Sequence, residues 1–249
     1  MTDFSFQLYS ARNFPPLEPI LEKLAALGYA QVEAYAGLFD NAARLAAMLK
    51  THGLTMPTAH VGLDRLQDTA GTIELARLLG IEVVICPAIP WLERNMDEAG
   101  WRALGTRLAG LGRAYAEAGL ELGWHNHDFE FKPAAGGKLP MDLILESAPG
   151  LIWEVDVAWL VKARQSPAAW FDRYGERIRA IHVKDIAVPG QALNEDGWAD
   201  VGYGTLDWQQ LYSSIRARTK ATWFVMEHDK PSDVERFARR SIAMARKWK

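Results

Sequence analysis

Three features of the sequence predict a single (β/α)8 barrel of the TIM type. Eight strand-like runs alternate with helical stretches along the 249 residues. The repeat is on the order of 30 residues, the length of one strand-helix-strand step. The run after the first strand, Tyr9-Ser10-Ala11-Arg12-Asn13, lacks the glycine-rich phosphate loop of the rival doubly wound sheet. No linker, low-complexity stretch or charge block divides the chain, so residues 1–249 read as one barrel domain.

The elements follow in order. Phe4–Leu8 alternates as a strand, and Leu17, Ile20, Leu21, Leu24 and Leu27 mark one face of a helix over Pro15–Leu27 that Gly28 ends. Gln31–Tyr35 is the second strand, and Asn41 caps a helix running to His52 before Gly53. Thr55–His60 is the third strand, with a helix over Thr69–Leu79. Glu82–Cys86 is the fourth, with a long helix over Met96–Ala118. Leu120–His125 and Met141–Ser147 form the fifth unit. Leu151–Asp156 and a helix around Ala168–Tyr174 form the sixth. Ile178–Lys184 precedes a helix over Leu206–Arg218. Trp223–Glu227 precedes the closing helix over Ser232–Trp248, where Ser232 and Glu235 have capping-box spacing.

Composition narrows the function. The 28 basic and 31 acidic residues leave a net charge of −3, so the basic footprint of a nucleic-acid binder is missing. No run of 18 apolar residues suggests a membrane span. The start, Met1-Thr2-Asp3-Phe4, has no basic region followed by an apolar stretch, so no secretory signal is expected. The single Cys86 excludes an internal disulfide and fits a reducing, cytoplasmic setting. It follows Val83-Val84-Ile85 and reads as strand packing rather than a nucleophile.

Such a barrel places its chemistry at the C-terminal ends of its strands. Five of the six histidines fall there: His60, His125, His127, His182 and His228; only His52 does not. The carboxylates Glu33, Glu154, Asp156 and Glu227 sit at comparable positions. Side chains alternate along a strand, so Glu154 points where Asp156 points, and His182 shares a face with Lys184. An apolar interior does not tolerate this many polar groups uncompensated. A divalent cation held by His125, Asp156, His182 and Glu227 would compensate them. Mixed imidazole and carboxylate donors suit Mn, Co, Zn, Fe or Mg. Glu33 and Glu154 read equally well as structural or functional, and His228 reads as a solvent-side or outer group.

Five segments carry a resemblance: Trp124–Phe131 (WHNHDFEF), Glu154–Trp159 (EVDVAW), His182–Asp185 (HVKD), Val201–Trp208 (VGYGTLDW) and Met226–Asp229 (MEHD). Together they resemble the sugar phosphate isomerase/epimerase superfamily, the xylose isomerase-like TIM barrels, and its His-Asn-His-Asp-Phe-Glu-Phe branch. The resemblance implies one divalent metal held from strands five to eight. Asp156, His182 and Glu227 match that pattern. The strand-five position departs from it, because many relatives carry Glu-Asn-His where this chain has His125-Asn126-His127. Either His125 is a ligand and another group is the base, or His125 is the base. Glu130 is a weaker candidate for the missing carboxylate.

The implied reaction is isomerisation or epimerisation of a sugar or keto-sugar through an enediolate. Glu227 would act as ligand and acid/base, with His125 or His127 as partner and Lys184 at a substrate oxygen. His60, Trp91, Trp159, Tyr203 and Glu33 are the expected substrate contacts, with Trp124 a further wall. Elimination from a 3-keto-glycoside and a metal-free sugar-binding barrel are the alternatives. The implied partner is a small carbohydrate, and the resemblance allows a homo-oligomer.

Overall fold

A computed structural model describes residues 4–248. The start at Met1–Asp3, read above for a leader, lies outside them. Eight parallel strands close into a barrel. They are β1 (Phe4–Gln7), β2 (Gln31–Ala34), β3 (Thr55–His60), β4 (Val83–Cys86), β5 (Glu121–His125), β6 (Ile152–Asp156), β7 (Ile178–Val183) and β10 (Trp223–Met226). Sequence neighbours pair throughout, and β1 closes the ring against β10. Two further two-residue strands, β8 (Asp185–Ile186) and β9 (Trp198–Ala199), form an antiparallel ribbon over the mouth.

Helices α1 (Leu17–Leu27), α2 (Ala42–His52), α4 (Thr69–Leu79), α5 (Glu98–Glu117), α6 (Pro140–Ser147), α8 (Pro167–Tyr174), α9 (Trp208–Arg218) and α10 (Val234–Ala245) make the outer layer. Gly28, Gly53 and Gly80 end the first three with left-handed φ of 85, 66 and 72°, a conformation glycine adopts without steric cost. Aspartates start three of the later five: Asp97, Asp207 and Asp233 each accept a backbone N–H of the first turn of α5, α9 and α10. The last of these replaces the Ser232 cap expected from the sequence. Glu235 does not close a capping box but reaches Lys23 at 2.5 Å.

Two short helices, α3 (Leu63–Gln67) and α7 (Val157–Lys162), were not expected, because one or two turns carry too little periodicity to read. Helix α7 matters most. It follows β6 with no loop, so Asp156 ends the strand and also caps the helix, accepting from Trp159 N at 2.9 Å.

Strand register sorts the side chains. Val83, Ile85, Ile152, Ala180 and Trp223 form a separate apolar layer inside the barrel. The main core lies between strands and helices, with Trp101, Trp124 and Trp153 fully buried. Along the same inward rows the side chains turn polar: Gln7, Glu33, His60, His125, Glu154, Asp156, His182, Lys184 and Glu227 are all buried. The pairs His125↔Glu154 and Asp156↔His182 put these groups level across neighbouring strands.

Asp185 organises the segment after β9. Its carboxylate accepts from Ile186, Gly202, Gly204 and Leu206 N at 2.8–3.1 Å. A Cβ at Gly204 would collide with Asp185 Oδ1 and the Ile186 carbonyl. Gly204→Ala is therefore expected to lower stability by about 1–3 kcal/mol, read by urea unfolding; an unchanged midpoint would refute this account of the loop.

Candidate functional site

Over the strand ends opens a cavity of about 490 Å³, lined by Tyr9, Arg12, Tyr35, His60, His125, His127, Asp196, Glu227 and Asp229 among others. That volume suits a monosaccharide-sized ligand. Below it lies one continuous polar cluster. Gln7 Nε2 donates to Glu33 Oε1 at 2.6 Å, and that oxygen lies 2.8 Å from His182 Nε2. Glu154 Oε2 lies 2.6 Å from His60 Nε2, 3.0 Å from His125 Nδ1 and 3.2 Å from His182 Nε2. His182 Nδ1 lies 2.9 Å from Glu227 Oε2. Lys184 Nζ donates to Glu227 Oε2 at 3.1 Å, pairs with Asp229 at 2.7 Å and lies 3.6 Å from Asp156.

Burial sets the protonation of these groups against their neighbours. Burial raises Glu33, and the nearby Glu154 raises it further. Burial would raise Glu154 too, but His182 and His60 hold it well below the carboxylate range. Glu227 is likewise held low, against burial, by Lys184 and His182. Against burial, Glu154 and Glu227 lift His182 well above its ordinary value, and Glu33 and Glu154 lift His60. Burial pushes His125 down to about 3, helped by His182; burial and His125 depress His127. Both therefore stay neutral at neutral pH. Burial raises Asp156 to about 6, with Lys184 opposing.

The four residues expected to hold a metal come together. One donor atom from each of His125, Asp156, His182 and Glu227 lies within 4.8 Å of the others, and all four are buried. Asp156 Oδ2 is buried without a hydrogen-bond partner, so the set has donor capacity to spare. Two imidazoles and two carboxylates suit Mn, Fe, Co or Zn. These residues fit a divalent cation.

Other expected residues fall elsewhere. Lys184, expected at a substrate oxygen, is fully buried beneath Trp198, whose ring centre is 4.3 Å from its ammonium. Trp159, expected against a sugar face, packs edge-on to Trp198 at 4.9 Å and belongs to this lid. Trp91 is 76% exposed and lines a separate cleft with Arg94 and Trp101. Tyr203 is exposed beside Arg240. Glu33 lies in the buried cluster rather than on the cavity surface. His60 and His127 line the cavity. His228 is buried against Phe237, not on the solvent side. Glu130 turns away from the barrel axis, accepting from Trp124 Nε1 and His127 N.

Sequence reasoning missed Tyr9, Arg12 and Tyr35. The tyrosines pair edge-on at 5.3 Å, and the Arg12 guanidinium covers Tyr9 at 3.7 Å. They follow the first two strands, Tyr35 directly after β2 and Tyr9 and Arg12 in the turn after β1, so widening the strand-end rule to the adjoining loops would have found them.

Fold and site define a (β/α)8 barrel with a polar centre at its C-terminal mouth. The model of the xylose isomerase-like TIM barrel family matches residues 21–248, and the chain belongs to that family. Among solved structures, a sugar phosphate isomerase/epimerase from Parabacteroides distasonis ATCC 8503 is 20% identical. Its TM-score is 0.78, over 96% of this chain and 92% of that one. A probable 3-DHS dehydratase from Bacillus anthracis is 11% identical, TM-score 0.77, over 99% of both chains. A D-psicose 3-epimerase, crystallised with D-fructose, is 13% identical, TM-score 0.73, over 98% of both. These likenesses establish the fold. No curated protein matches. Among the described residues no helix is long and apolar enough to cross a membrane.

Two consequences can be measured. Lys184→Met leaves Asp156, Glu227 and Asp229 without their shared cation and should cost about 3–5 kcal/mol in urea unfolding; wild-type stability would contradict the ion-pair account. Burial, the main cause, raises Glu130 to about 8. The folded protein thus keeps a proton that the unfolded chain has already lost above its ordinary carboxyl pKa. Stability from this group is full below about pH 4.5 and drains away as pH rises toward 8. Glu130→Gln should gain on wild type across that window, and parallel stability curves would rule this out.

Proposed function

We propose that the chain is a divalent-metal-dependent enzyme that isomerises or epimerises a sugar or keto-sugar by removing a proton next to a carbonyl. The observation that carries this reading is the convergence of His125, Asp156, His182 and Glu227 donors under an open cavity of monosaccharide size. When bound there, a divalent cation supplies Lewis-acid stabilisation of negative charge developing on substrate oxygens. The named activities of the isomerase/epimerase and psicose epimerase relatives lie in the same class.

The residues divide the remaining work. Glu227 is the base: Lys184 and His182 keep it ionised, and both contacts fall on Oε2. Its Oε1 is the oxygen for the substrate proton. Lys184 is a positioning residue that fixes Glu227 and Asp156 from below. Tyr9 and Tyr35 offer an aromatic wall for a sugar ring, and His127 and His60 offer ring nitrogens to hydroxyls.

A second reading, elimination of a group beyond the carbanion, is favoured by one feature. His125 stands where an opposing acid/base would be needed, and burial together with His182 keeps it from holding a second proton. Elimination needs only one base at the carbon.

The test is solvent deuterium wash-in at the carbon next to the carbonyl, across ketoses and 3-keto-sugars, with Mn²⁺ or Co²⁺ supplied. Exchange is expected with at least one substrate, and Glu227→Gln should slow it about a hundred- to ten-thousand-fold. No exchange with any of them would sink proton abstraction. Release of a leaving group with an unsaturated product would select the elimination.

A further inference from the structure

Beside the cavity over the strand ends lies a second, larger cleft of about 870 Å³. Its walls are the chain after β4 and the chain after β5. Both walls run on from the cavity. Pro87 and Ala88 line the cavity, and Trp91, Arg94 and Asn95 of the same loop line the cleft. On the other side His127 lines the cavity and Phe129 lines the cleft. Their rings stack, with centres 5.9 Å apart and planes at 18°. One ring pair thus bounds both spaces.

We propose that the cleft is a second subsite, taking a ring joined to the reacting sugar, so that the substrate is a glycoside rather than a free monosaccharide. This rests on the reading of the cavity as a sugar site. Trp91 is 76% exposed and its neighbour Leu92 87%. Large apolar side chains left together in water mark a binding surface. Polar groups surround them: Arg94, Asn95, Asp128 and Lys132 also line the cleft. A wholly apolar occupant would strip water from these groups without replacing its hydrogen bonds. A ring with a flat apolar face and hydroxyls at its edge meets both demands, and a second sugar or a phenolic ring has that form.

The cleft is built in advance of any ligand. Arg94 Nε donates to the Ile89 carbonyl at 3.1 Å, and its guanidinium lies 4.1 Å over the Phe129 ring. That fixes the turn that carries Trp91. The facing wall is a closed turn, with Ala134 N donating to Lys138 O at 2.9 Å and Gly137 N to Ala134 O at 2.8 Å. Walls held by their own hydrogen bonds lose little freedom when a ring enters.

The test is isothermal titration calorimetry with methyl glycosides, phenyl glycosides and disaccharides of glucose and galactose, both anomers of each. A phenyl glycoside or a disaccharide should bind at least about ten-fold more tightly than the matching methyl glycoside, and Trp91→Ala should erase the difference. A gain for disaccharides alone assigns a second sugar; a gain for phenyl glycosides alone assigns an aryl ring. Equal affinities within every set, or no binding by any glycoside, overturn the subsite. So does a wild-type dimer that Trp91→Ala splits in sedimentation, because a second copy would then cover the cleft. Wild-type crystals soaked with the tightest glycoside serve if the variant does not fold. The second ring within about 4–4.5 Å of the Trp91 indole supports the subsite, and the ring elsewhere overturns it. Binding is read without turnover. Failed deuterium wash-in with a second-ring gain therefore sinks the reaction alone, and wash-in without that gain sinks the subsite alone.

Discussion

The structure turns on one constraint: carboxylates buried on the axis of the barrel must be compensated. Glu33, Glu154 and Asp156 are wholly buried and Glu227 nearly so. Isolated carboxylates there would be prohibitively costly, so each is answered by an imidazole, by Lys184 or by a backbone N–H. The answer differs with height. At the bottom Val83, Ile85, Ile152, Ala180 and Trp223 exclude water and charge. Above them the histidines and Glu154 interlock, and above those Lys184 holds Asp156, Glu227 and Asp229. The network also pins the sheet. Shifting β6 or β7 by one residue would carry Glu154, Asp156, His182 and Lys184 into the apolar layer under the helices.

Most of the barrel was legible in the sequence because its signals are local. Strands and amphipathic helices recur eight times, left-handed glycines end the first three helix units, and no single error displaces the rest. What escaped lacked a period. Helix α7 is six residues long and starts on the residue that ends β6. The β8–β9 ribbon has two residues on each side. The cap of α10 moved from Ser232 to Asp233 because both can cap and only tertiary context, here Ser232 N bound to Glu195, decides between them.

The site divides along the same line. Histidines at strand ends stand out, since few cores accept them, and alternation says which share a face. Glu33 and Glu154 were ambiguous because a carboxylate in a strand has the same pattern whether it binds a partner or packs a gap. Their three-dimensional partners, Gln7, His60 and His182, are on other strands. Loop residues fared worst. Trp91 and Tyr203 follow strands as substrate contacts would, yet their loops carry them away from the cavity. Lys184 faces inward as alternation required, but Trp198, from a ribbon invisible in the sequence, covers it.

His125 is where fold and chemistry meet. A carboxylate there would add a further negative charge beside Glu154, within a cluster whose lysine, Lys184, is already engaged by Asp156, Glu227 and Asp229. A neutral imidazole adds no charge and can give Nδ1–H to Glu154. Of His125, Asp156, His182 and Glu227, Glu227 is the carboxylate that lines the cavity, held ionised by Lys184 and His182. The imidazole also brings a third ring nitrogen to Glu154 Oε2, beside those of His60 and His182. One neutral side chain at the end of β5 thus spares the cluster a further negative charge and gives Glu154 another partner.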